Sequence, residues 1–252
     1  MKVARFAPAL LVLAATGVAL AGSRKPTPRG GHAGYLARAL PRPPRPPPIP
    51  PEAENQKITR HFLLGFVLPL WMAAGIADWF CHRRTDIAHT AGRKESLIHL
   101  MMLSQAAMPV TAALFLEITS PVLLLMFAAV MAHEATALWD VSYAVKRREV
   151  TPVEQHVHDY LVMVPVMAVS FVSVLYWPRV QALVGLGPEK RDWSIRRKRQ
   201  PLPKKVVFGF IGAMVLLEWG PYLEELWRTQ RARNEAARAR TAYTRTRVTA
   251  GT

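Results

Sequence analysis

Four long apolar segments, near His61–Cys81, Ser96–Leu116, Pro121–Val145 and Tyr160–Val180, constrain this chain more than any other feature, and a fifth, Val206–Tyr222, follows a basic gap. Each approaches the roughly 20 residues that a helix needs to cross a bilayer. Helices this apolar would leave a soluble bundle with no amphipathic face to turn to water. The reading is an all-α integral membrane helical bundle of about five spans, four of them forming the core. A net charge of +16 beside 51% hydrophobic residues requires the basic and apolar residues to be segregated along the chain. A pI near 10.8 ordinarily suggests nucleic-acid binding, but that reading needs a soluble module with a basic face. The spans exclude it. The single Cys81 excludes an internal disulfide.

The remaining segments organise around the bundle. Residues 1–21 combine a basic start, an apolar run and a small-x-small pattern at Ala19-Leu20-Ala21, as a signal segment or an anchor does. Residues 22–60 form a Pro/Arg-rich linker expected to be disordered, with eight prolines in the eleven residues Pro41–Pro51. The bundle occupies 61–223, and 224–252 is a basic tail. The connection Ile118-Thr-Ser-Pro121 is uncharged, whereas the first and third connections are basic, which favours those two in the cytoplasm. Arg196-Arg-Lys-Arg199 in the fourth connection argues the opposite way. In the tail, Arg228, Arg231, Arg233, Arg238 and Arg240 alternate with alanines and suit anionic lipid headgroups. A disordered tail that obeys the positive-inside rule is the alternative.

Histidines and carboxylates recur at helical spacing. The first span ends in Asp78-x-x-x-His82 and the second opens with Glu95-x-x-x-His99. The third closes with His133-Glu134 and Asp140, and the fourth opens with Glu154-x-x-x-His158. Separations of four and seven place both members of a pair on one helix face. Consecutive spans run antiparallel, so all four pairs meet at one side of the membrane. Such a set suits metal chemistry, because ferrous or manganous ions take mixed oxygen and nitrogen ligands from facing helices. Ionisable groups inside spans are costly, which favours a functional reading of Asp78, Glu134 and Asp140. The candidate ligands are His82, His89, Glu95, His99, His133, Glu134, Asp140, Glu154 and His158, with His89 and His156 able to complete or support the shell. Thr151-Pro152-Val-Glu154 is also a capping box, which would explain Glu154 without a metal. Asp78 at its helix end could simply snorkel. Glu218 lies in the fifth span and is left outside the set.

Taken together, Asp78-Trp-Phe-Cys-His-Arg-Arg, Glu95-Ser-Leu-Ile-His99, His133-Glu-Ala-Thr-Ala-Leu-Trp-Asp140 and Glu154-Gln-His-Val-His158 resemble a bacterial multi-span membrane family. Their ligand logic is similar to that of ferritin-like di-iron carboxylate proteins, although the spacing is one residue longer than Glu-x-x-His. The resemblance implies oxygen- or redox-linked chemistry at the bacterial inner membrane. The clustered histidine boxes of membrane hydroxylases and desaturases are missing. His133-Glu134 opens like a zinc-protease motif, but Ala137 stands where the second ligand would be. The expected function is a metalloprotein holding two metal ions, iron first and manganese or zinc next. It would act as an oxidoreductase such as a hydroxylase or desaturase on a lipid-soluble substrate. The alternatives are a b-type haem electron carrier with two histidine ligands, and a non-catalytic assembly or transport component. All four of His82, His99, His133 and His158 should converge in one cluster.

Overall fold

Apolar runs bounded by prolines and charged turns become helices, and where each helix starts follows from its local sequence. The computed structural model describes residues 51–250, with side chains placed for residues 54–247. The signal-like segment 1–21 and most of the linker lie outside the described residues. The chain divides into two units, Met1–Phe66 and Val67–Thr252. In the first, α1 covers Pro51–Phe62 and leads into a π-helical turn at Leu63–Val67. Residues 51–60, expected in the linker, are therefore helical.

The second unit contains α2 (Leu68–Arg84), α3 (Arg93–Phe115), α4 (Ser120–Ala144), α5 (Pro152–Leu175) and the short α6 (Trp177–Leu183). It continues through α7 (Lys204–Met214), a π-helical turn at Val215–Trp219 and α8 (Gly220–Ala250). Four of these helices begin with proline at a first-turn position, α2, α4, α5 and α6, where a missing N–H costs nothing. The described residues form an all-α bundle with five stretches long and apolar enough to cross a membrane. These are Glu54–Arg84, Arg93–Phe115, Ser120–Ala144, Pro152–Leu175 and Lys204–Arg247. The chain is thus built as a multi-pass membrane protein. Its exposure pattern agrees: Leu138 is 72% exposed and Leu216 74%, while Asp140 and Glu218 on the same helical stretches are buried. Polar inside and apolar outside suits lipid and not water.

Within this unit α3 packs most extensively on α4, and α2 on α5. The last stretch joins them, because α8 packs against α3 and α2, and the turn before it against α2. The core bundle therefore has five members where the sequence suggested four. Beside α3 and α4, an apolar cluster of Ala112, Ile118, Val122, Leu123 and Met126 closes the end away from the histidines. The fourth connection is tied across that end. Thr119 Oγ1 donates to the Ser194 carbonyl, Ser120 N–H to Asp192, and Lys198 N–H to Phe115. Its basic residues are thus pinned to the bundle.

Candidate metal centre

The i, i+4 pairs meet as the antiparallel order of the spans requires. Asp78 and His82 close α2, Glu95 and His99 open α3, Asp140 lies near the end of α4, and Glu154 and His158 open α5. All seven are buried. Two groups of donors are close enough to share an ion: Asp78, His82, Glu154 and His158, and His82, Glu95 and His99, each within 4.8 Å of one another. Asp140 joins the second, with its Oδ2 3.2 Å from His99 Nε2.

Glu225 on α8 organises the two groups. One of its carboxylate oxygens lies 2.8 Å from His82 Nδ1 and the other 2.9 Å from His99 Nδ1. The two imidazoles stack face to face, with centroids 4.4 Å apart and planes 7° from parallel. A carboxylate only accepts, so both Nδ1 atoms donate, and in the neutral imidazoles each Nε2 carries a lone pair. Those lone pairs face more carboxylate oxygens. His82 Nε2 is 3.4 Å from Asp78 Oδ2 and 3.5 Å from Glu154 Oε1, without a hydrogen bond to either. His158 Nε2 lies 3.0 Å from Asp78 Oδ1. With the nitrogens unprotonated these contacts would be repulsive, so either a proton or a metal ion stands between each nitrogen and its carboxylate; His99 Nε2 and Asp140 Oδ2 are within hydrogen-bond distance. Ligands about 2.1 Å from one ion sit roughly 3.0–3.4 Å from each other in octahedral or tetrahedral geometry. Most of the observed separations fall in that range.

Charge leads to the same place. Asp78, Glu95, Asp140, Glu154 and Glu225 bring five buried carboxylates, and Arg148 is the one guanidinium among them. That leaves four negative charges. Protonating His82, His99 and His158 would leave one, and two divalent cations would leave none. Arg148 sits in the turn between α4 and α5, with Nη2 2.5 Å from both Glu95 Oε1 and Glu154 Oε1. Burial opposes its charge, but the two carboxylates outweigh this and hold the guanidinium above its ordinary range.

The other candidates fall outside the two groups. His133 is buried one helical stretch deeper, and its Nε2 donates to the Leu161 carbonyl at 3.3 Å. Three of the four histidines converge, and His133 does not join their cluster. The seven residues between His133 and Asp140 are about 10 Å of helix rise, too far for both to reach one ion. Glu134, its neighbour, is half-buried on a different face and belongs to neither group. His89 is at the surface, where its Nδ1 meets Asp86 at 2.9 Å. His156 is likewise exposed, near Asp159. Only half of the capping box forms: the Glu154 N–H donates to Thr151 Oγ1 at 3.2 Å, while the Glu154 carboxylate, which the box would turn back to Thr151, turns inward to Arg148 and His82. Asp78 is buried and does not snorkel, because Tyr222 donates to its Oδ2 at 3.1 Å.

Glu225, Tyr222 and Arg148 are absent from the sequence-derived set. A signal for the first two existed. Glu218, Tyr222, Glu225 and Thr229 recur at helical spacing and are all buried. Ending the fifth span at Tyr222 cut that face in two. The fold and site together define a multi-pass helical membrane protein with a buried histidine–carboxylate centre compatible with metal. Neither protein-family models nor curated proteins nor solved structures give a match to this chain.

Proposed function

We propose that the protein is a bacterial inner-membrane metalloprotein that holds two metal ions, iron first and manganese or zinc next, and works as an oxidoreductase on a lipid-soluble substrate. One ion would take Asp78, His82, Glu154 and His158, and the other His99, Asp140 and Glu95. The observation that carries this reading is the pair of Nε2 atoms, on imidazoles held through Nδ1 by Glu225, each facing carboxylate oxygens. Mixed oxygen and nitrogen donors from several helices suit a redox-active di-metal pair. The haem alternative loses support, because His82 and His99 stack in contact and leave no slot for a porphyrin between them.

Metal analysis of the detergent-purified protein tests the reading. About two ions per chain are expected, with the double substitution His82→Ala and His99→Ala removing most of both. Membrane insertion should persist, since the apolar spans drive it. Full metal content in the double variant would sink the shared centre, and a Soret band would restore haem.

The C-terminal helix supports a second contact. Beyond Thr229, α8 continues to Ala250 with Arg231, Arg233, Arg238 and Arg240 exposed. We assign this polycation to anionic headgroups, at about 1 kcal/mol per basic residue near the surface. A peptide spanning residues 228–247 should float with anionic vesicles and stay behind with neutral ones. Equal binding to both would remove the headgroup role.

A further inference from the structure

A cavity of about 50 Å³ adjoins the histidine–carboxylate centre on its bilayer-interior side, reaching Asp78, His99, Asp140 and His158 at one end and Trp71, His133 and Glu218 at the other. One water needs roughly 10–15 Å³ of such space, and a benzene-sized guest roughly 150 Å³. The cavity is therefore too small for a ring or an acyl chain. Leu103 and Leu161 are among its apolar walls.

Six buried polar atoms of the lining residues have no hydrogen bond: Trp71 Nε1, Asp78 Oδ1, His133 Nδ1, Asp140 Oδ1, His158 Nδ1 and Glu218 Oε1. Their roles follow from chemistry. Trp71 can only donate. His133 donates through Nε2 to Leu161, so its Nδ1 accepts. Asp140 and Glu218 offer carboxyl oxygens. His158 approaches Asp78 through Nε2, which leaves Nδ1 to donate when that nitrogen binds an ion. An occupant must consequently donate and accept within two or three heavy atoms, and an anion would face the carboxylates of Asp78 and Asp140. Glu218 fits there because Gly75 carries no side chain: a Cβ on Gly75 would fall 2.3 Å from Glu218 Oε2, so the carboxyl would have to shift.

We propose that the cavity binds a small hydride of nitrogen or oxygen, in the size range of water, hydrogen peroxide and hydrazine, beside the metal centre, with Glu218 hydrogen-bonding to it and the carboxylates of Asp78 and Asp140 disfavouring anions. The inference rests on the metal reading above and names the class of molecule admitted to that centre. Cobalt-loaded full-length protein in detergent, titrated with hydrazine and with azide, tests it through the visible spectrum of the cobalt. Hydrazine should perturb the spectrum, and azide, similar in size but anionic, should bind at least tenfold more weakly. Glu218→Leu should weaken hydrazine binding about tenfold with metal content unchanged. Gly75→Ala, which displaces the Glu218 carboxyl from its place, should do the same.

Azide binding as tight as hydrazine would overturn the proposal, as would Glu218→Leu protein with unchanged hydrazine affinity. Loss of cobalt from the parent protein is a different failure, that of the metal reading. In that case the thermal shift of the metal-free protein with hydrazine, in parent and Glu218→Leu forms, still decides whether the cavity takes this ligand. A shift in the parent that the variant loses supports it, and equal shifts overturn it.

Discussion

Replacing Arg148 with methionine should destabilise the metal-free protein by about 3–5 kcal/mol, the range seen when one partner of a buried ion pair is removed. The guanidinium is almost fully enclosed and lies 2.5 Å from oxygens of both Glu95 and Glu154. It also donates to Thr85 Oγ1 at 3.3 Å, which ties the end of α2 to the starts of α3 and α5. Methionine preserves most of the volume and removes the charge, leaving two buried carboxylates unpaired. Thermal unfolding in detergent measures the loss. Adding Glu95→Gln and Glu154→Gln to the variant should recover much of it, because the uncompensated charge, and not the missing contact, is the dominant cost. Divalent metal should raise the midpoint of Arg148→Met more than that of the parent, since the freed carboxylates gain a cation. A variant that melts with the parent would mean that the carboxylates are neutral and that Arg148 only fills space.

Glu225→Gln is expected to weaken metal binding 10- to 100-fold, the usual cost of losing a carboxylate that orients a ligating imidazole. The change is nearly isosteric, so packing is preserved and hydrogen bonding is altered. An amide has one acceptor oxygen, which can serve either His82 Nδ1 or His99 Nδ1, while its NH2 opposes the other. That second imidazole must move its proton to Nε2 and can then no longer offer a lone pair to an ion. Isothermal titration with a divalent metal reads the affinity. A cobalt spectrum adds a signature that a merely structural role would not move, because one nitrogen ligand should disappear. Metal affinity equal to that of the parent would reduce Glu225 to a packing carboxylate and leave the tautomer argument without support.

The two substitutions separate two functions of one buried network. Arg148 holds carboxylates together when no metal is present, and Glu225 aims nitrogens whether or not metal is present. A protein that was only a structural ion-pair network would lose stability in both variants and have no metal affinity to lose. A metal protein depends on both.

The amino-acid sequence by itself determined the local part of this molecule. Apolar length sets the spans, because a helix must satisfy its own backbone in lipid. Proline and polar turns set the starts of α4 and α5, and the four-residue spacing put Asp78 with His82, Glu95 with His99 and Glu154 with His158 on shared faces. Short connections between antiparallel helices then brought those faces to one end of the bundle. None of this requires distant information.

What the tertiary structure decided is which distant helix completes the centre and which neighbours are left out. Glu225 is 126 residues from His99 along the chain, and only the packing of α8 against α2 and α3 brings it between two imidazoles. Arg148 reads in the sequence as one more basic loop residue, and it became buried because the loop folds over two carboxylates. His133 and Asp140 share a helix face, yet one turn after another of rise carries His133 down to the cavity and away from the histidine–carboxylate centre. Spacing along a helix fixes direction around its axis. Depth along the bundle and contact between helices far apart in sequence belong to the packed whole.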